Sequence, residues 1–171
     1  MTTDLNALLD DAFGRIRDGV HRAVEGLDPD ALTLRVDAAA NSIAWLVWHV
    51  ARIQDDHISD LRDAEQTWTQ GWSDRFALPF DESETGYGHS SEEVAAVRAS
   101  SDDLLGYYDA VHAATAAYLR TVSLDELDRV VDDSWDPPVT LAVRLVSVVT
   151  DNLEHVGQAA YVRGIAERRG A

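Results

Sequence analysis

Apolar residues recur along this chain at spacings of three and four in four long segments, which is the period of a helix with one buried face. The first segment runs roughly from Thr3 to Glu25, where Leu5, Leu8, Leu9, Ala12, Phe13, Ile16 and Val20 share a face. Gly26 ends it, and Asp28-Pro29 reads as a turn. The second runs roughly from Ser42 to Arg62, with Asn41 as its expected N-cap. Its face carries Ile43, Leu46, Val47, Val50, Ile53, Ile58 and Leu61, widened by Trp45 and Trp48. The third starts near Ser90, where Ser90-x-x-Glu93 has capping-box form, and reaches about Thr121 with a break at Ser100-Ser101. The fourth runs roughly from Thr140 to Arg168.

Between the second and third segments lies a connection from about Asp63 to His89 that holds Trp68, Trp72, Phe76, Phe80 and Gly86-Tyr87-Gly88. Connections of this length are usually functional or disordered, and this many aromatic residues argues against disorder. A loop with short helical turns, folded over one end of the helices, is expected. Ser123-x-x-Glu126 predicts a further short turn, and Trp135-Asp136-Pro137-Pro138 must be extended, because proline disfavours helix in the residue before it. No convincing strand pattern or internal repeat is evident. The expected fold is one all-α domain over residues 1–171, a four-helix bundle.

Composition narrows the chemistry. The chain has 171 residues and no cysteine, so it has no disulfide, no thiolate ligand and no cysteine nucleophile of its own. Any thiol chemistry would need an external thiol, and any metal would need imidazole and carboxylate ligands. The formal net charge of −17 disfavours nucleic acid as a partner. No run of about 18 apolar residues predicts a membrane span. The first thirteen residues carry Asp4, Asp10 and Asp11 and no basic residue, the opposite of a secretory signal, so a cytoplasmic location is expected. All fourteen basic residues are arginine, which suggests a G+C-rich genome.

The stripe of the fourth segment reads Leu141, Leu145 and Val148, then Asn152 and His155, then Ala159 and Val162. Buried polar groups are costly unless paired or bound to metal, so the mid-helix break at Asp151, Asn152 and His155 asks for a reason. Asp151 and His155 lie four apart, about 40° around a helix, and project to one side. That spacing suits two ligands of a divalent ion. His49, in the middle of the second segment, is the best third candidate, and a facing helix could bring it opposite His155. His57 is a rival about 80° away from His49, and Glu154 lies about 100° from His155, off the shared side. A lone histidine on an apolar face is more often a hydrogen-bonded core residue than a ligand, and Asp151 with His155 could be a simple helix-surface pair. Arg52 and Asp56 fall on the His49 side, and Gln158 lies one turn beyond His155, so all three are expected near the ligands. His21, His89 and His112 read as ordinary surface or edge residues, and Trp45, Trp48, Trp72 and Trp135 as core or cover.

The run from Asn41 to His57, with Trp45, Trp48, His49 and Arg52, resembles the second helix of DinB-like proteins. In particular it is similar to the subgroup related to the mycothiol-dependent enzymes, maleylpyruvate isomerase and mycothiol S-transferase. The run Trp135-Asp-Pro-Pro-Val-Thr-Leu-Ala-Val-Arg144-Leu, followed by Asp151-Asn-Leu-Glu-His155-Val-Gly-Gln158 and on to Gly164, resembles the same subgroup's fourth helix. The resemblance implies a DinB-like bundle with a metal held by His49, Asp151 and His155. Relatives often carry histidine where Asp151 stands, which leaves zinc, nickel, manganese and iron open, with zinc expected. It further implies a transferase or isomerase that uses a low-molecular-weight thiol, mycothiol, as a metal-bound thiolate, acting on a small electrophile. Arg52 or Arg144 would bind an anionic group, and a homodimer is implied. Two other readings stay open: a stress-related metal-binding module without thiol chemistry, and a metal-dependent hydrolase.

Overall fold

The computed structural model describes residues 4–170. Helix α1 spans Leu5–Val24, capped by the Asp4 carboxylate on the Ala7 N–H. Asp28-Pro29 does not make a plain turn. Asp28 caps a five-residue helix, α2, Pro29–Thr33, whose first position is the proline that helix starts favour. Helix α3 spans Ile43–Leu61, and its cap is Ser42, not Asn41, because the Ser42 hydroxyl accepts from the Trp45 N–H at 3.2 Å.

The connection contains a π-type turn over Trp68–Trp72 and a short helix, α4, Ser73–Phe76. It covers a flank of the bundle and not an end. Trp68 and Phe76 are buried, Trp72 packs on Gly106, and the tail of the connection runs back along α3 to His49. The break expected at Ser100-Ser101 divides α5, Ser91–Ala96, from α6, Ser101–Leu119, each with its own serine cap. The Ser123 capping box closes a single turn over Leu124–Glu126.

Two short strands, β1 (Val130–Asp132) and β2 (Val139–Thr140), pair antiparallel, with Val130 opposite Thr140. At three and two residues they are too short to leave a readable alternation, which is why no strand was expected. Trp135, expected as core or cover, sits in the turn between them and is 67% exposed. Helix α7 spans Leu141–Arg169, from the Thr140 cap to Gly170 in the left-handed region.

Helices α1, α3, α6 and α7 form the bundle. α3 packs on α7 and α6, and α1 packs on the same two from the opposite side. The core is one cluster running from Phe13 and Ile16 of α1 through Ile43–Val50 of α3 to Leu141, Leu145 and Val148 of α7. Among the described residues no helix is long and apolar enough to cross a membrane. The α3–α7 contact, with the connection laid beside it, positions the candidate site.

Candidate metal centre

His49 is 5% exposed, seven residues into α3, where Trp45 one turn earlier stacks on its ring at 4.7 Å and 11°. Its Nδ1 lies 2.6 Å from the carbonyl oxygen of Thr85. The carbonyl can only accept, so the proton sits on Nδ1 and Nε2 is left with its lone pair free. Burial holds the His49 imidazole below the usual histidine range, against an opposing pull from the Thr85 carbonyl. The ring is therefore neutral at pH 7, the form that binds metal.

Across the α3–α7 contact, the His155 ring meets His49 edge to face, with centroids 4.8 Å apart and planes at 80°. His155 Nδ1 lies 3.4 Å from the Gln158 side-chain oxygen, and Nε2 lies 3.6 Å from Asp151 Oδ1. One ligand atom from each of His49, Asp151 and His155 falls within 4.8 Å of the others. The other carboxylate oxygen, Asp151 Oδ2, is buried and has no hydrogen-bond partner among the described residues. An orphaned carboxylate oxygen beside two imidazoles is costly unless a cation satisfies it. Two imidazoles and one carboxylate fit a borderline divalent ion, and three protein ligands leave a coordination position for an exogenous one.

The connection completes the site in a way the sequence did not reveal. Gly86 has φ +95°, and a Cβ there would lie 2.9 Å from His49 Nδ1 and about 3 Å from the rings of Trp48 and Trp45. Only glycine lets the backbone approach closely enough for Thr85 to orient His49. His89, expected as an ordinary surface or edge residue, is also part of this wall. Its side chain is 3% exposed, accepts at Nδ1 from the Trp45 indole N–H at 3.2 Å, and lies between Trp48 and Phe80. The Gly86-Tyr87-Gly88 cluster marked a tight backbone path, but nothing in the sequence said which histidine it approached.

Other expected residues fall elsewhere. Arg52 is fully buried and donates to the carbonyls of Glu82 and Glu84 and to the Gln66 side chain, with its guanidinium over the Trp68 ring. It ties down the connection just before Thr85, at Glu82 and Glu84, and has no free face for an anionic ligand. Asp56 accepts from Gln66 at 2.8 Å and is not one of the three clustered ligands. His57 is outside the three-residue cluster. Its Nδ1 lies 3.2 Å from the Arg144 guanidinium, which also donates to Asp132 on β1 at 2.9 Å. Burial first, and Arg144 second, hold the His57 imidazole below its usual range. Gln158 does contact His155, as expected from its place one turn along. Of the two remaining histidines, His21 pairs with Glu25 and Asp109, while His112 stacks on Tyr108.

A family model described as mycothiol-S-transferase matches residues 5–167. Among solved structures, the chain is similar to a conserved protein from Enterococcus faecalis, with 33% sequence identity and a TM-score of 0.87. The match covers 95% of this chain and 96% of that one. No curated protein matches the chain.

Proposed function

Because the chain belongs to the mycothiol-S-transferase family, we propose that it transfers a low-molecular-weight thiol, mycothiol, to a small electrophile at a divalent-metal site formed by His49, Asp151 and His155. The observation that carries this reading is the cluster itself. Three ligand atoms lie within 4.8 Å, the Asp151 carboxylate is left half unsatisfied, and the His49 tautomer is set by Thr85.

A divalent ion bound there supplies the positive charge that makes a thiol ionise at neutral pH. The residues divide the remaining work. Thr85 and Gln158 hold the two imidazoles in the orientation that presents Nε2 inward. Asp151 contributes one negative charge, so the site keeps a net positive charge when loaded with a dication. Trp45, Trp48 and His89 wall the His49 side and limit water there. In the transfer, the sulfur bonds to the electrophilic atom, the thiol proton passes to solvent, and the leaving group departs with the bonding pair. The absence of any cysteine in the chain means no internal thiol competes. Zinc is the proposed ion, on the basis of two nitrogen ligands and one oxygen ligand.

The test is conjugate formation between mycothiol and a bimane-type electrophile, with the zinc-loaded, full-length protein as catalyst. Metal-dependent turnover that disappears in His49→Ala and Asp151→Ala is expected. No metal-dependent turnover with mycothiol or any other small thiol would overturn the reading.

A further inference from the structure

Beside the metal cluster, between the chain entering α3 and the C-terminal half of α7, runs an open groove of about 590 Å³. Its floor includes Leu46 and Val162, and its polar lining is Asn41, Glu154, Gln158 and Tyr161. Gln158 belongs to both places: its oxygen is the partner of His155 Nδ1, and its side chain lines the groove. Leu46 likewise lies one helical turn before His49. The groove is thus continuous with the site through two residues, one on each helix.

The lining carries hydrogen-bonding groups that no protein group uses. Among the described residues, the side chains of Asn41, Glu154 and Tyr161 have no protein partner, and Gln158 uses only its oxygen. Together they present amide donors, amide and carboxylate acceptors, and a phenol. The Tyr161 ring is 67% exposed at the edge, available to lie against the carbon face of a ring-shaped ligand. Glu154, on a chain of net charge −17, disfavours an anionic guest. The chemistry that fits is uncharged and rich in hydroxyl groups.

We propose that this groove binds the hydroxylated, sugar-like body of the thiol cosubstrate while the sulfur end lies at the His49–Asp151–His155 cluster. The inference rests on the transferase reading for the identity of the thiol, and on the groove alone for the class of group bound. It makes the groove the specificity determinant among thiols: a neutral polyol conjugate is accepted, and a thiol bearing carboxylates is disfavoured. Asn41, Glu154 and Tyr161 are binding residues under this proposal, and they take no part in holding the ion.

Calorimetric titration of the zinc-loaded protein with S-methyl mycothiol, whose sulfur is blocked, tests it. N-acetylcysteine amide, the same thiol end without sugars and also neutral, is the control. Asn41→Ala and Tyr161→Ala should each weaken S-methyl mycothiol about tenfold, the loss of one to two good contacts. Zinc stoichiometry and the affinity for N-acetylcysteine amide should not change. No binding of S-methyl mycothiol to the wild type, or unchanged affinity in both variants, overturns the proposal. An equal loss for the control thiol also overturns it, because the substitutions would then be acting through the metal site. The two readings fail separately. Binding with the expected variant pattern but no thiol transfer removes the transferase and leaves the groove. Mycothiol transfer with indifferent variants removes the groove and leaves the transferase.

Discussion

The carbonyl oxygen of Thr85 sits 2.6 Å from Nδ1 of His49, so a loop residue 36 positions away sets the tautomer of a candidate metal ligand. Gly86 makes that approach possible. Gly86→Ala adds a Cβ within 2.9 Å of His49 Nδ1 and strains a backbone at φ +95°, so it must push the Thr85 carbonyl or the imidazole out of line. The expected outcome is a loss of zinc affinity of about 10–100-fold, the range seen when the partner of a ligating histidine is lost. Competition with a chromophoric chelator measures it, and an unchanged affinity would show that Thr85 does not orient the ligand.

Metal removal should destabilise the fold, because the cluster joins α3 to α7 and is assembled only in the native state. At a free zinc concentration of about 100 times Kd, the linkage contribution is about 2.7 kcal/mol. For a domain of this size that corresponds to a Tm about 5–10 °C higher than in excess chelator. His155→Ala should abolish the difference while leaving the chelated protein folded. A wild-type Tm indifferent to zinc would argue against the site.

The stability of the metal-free protein should fall as the pH drops below about 6.5, the unperturbed histidine value. His49, His57 and His112 all have depressed values in the folded chain, each chiefly through burial. Between the unfolded value and the lower folded values, the unfolded chain binds more protons, so stability rises with pH and is lost on acidification through that window. His21 acts in the other direction. Its value is raised by Asp109 and Glu25 despite burial, which leads the opposing effects, so it favours the fold when protonated. Three depressed histidines against one raised one predict a net loss. Urea denaturation at pH 7.5, 6.5 and 5.5 in chelator reads it, and His57→Gln should flatten part of the slope. A stability that is flat or rising toward pH 5.5 would contradict the prediction.

A buried polar pin keeps α7 in register. Tyr108 and Asn152 both donate to the Gln54 side-chain oxygen, at 3.0 and 2.9 Å, and the Gln54 amide donates to Thr115 at 2.9 Å. All of these side chains are buried, and Asn152 is the neighbour of Asp151. Gln54→Leu strands the Tyr108 hydroxyl and the Asn152 amide, at an expected cost of about 2–4 kcal/mol. Chemical denaturation of the metal-free variant measures this. A change within about 0.5 kcal/mol, typical of a surface substitution, would mean the network relaxes around the loss.

The four bundle helices were legible because burial of one helical face imposes a period on the sequence, and Leu141, Leu145 and Val148 show it as plainly as Phe13, Ile16 and Val20. The break at Asp151 and His155 was legible for the same reason, since polar residues in an apolar stripe stand out against burial cost. Caps were readable to within one position: Ser42 and not Asn41 starts α3, because two adjacent residues had suitable side chains and only the backbone path chose between them. What one helix carries does not say what faces it. The meeting of His49 with His155, the approach of Thr85 and Gly86, the burial of His89, and the tying of Arg52 to the carbonyls of Glu82 and Glu84 all join residues on different elements. None of them leaves a local period or spacing. The sequence by itself determined which faces had to be buried and where the polar exception lay. Only the tertiary packing of α3, α7 and the connection decided which side chains meet there, because contacts between distant residues depend on how whole elements dock.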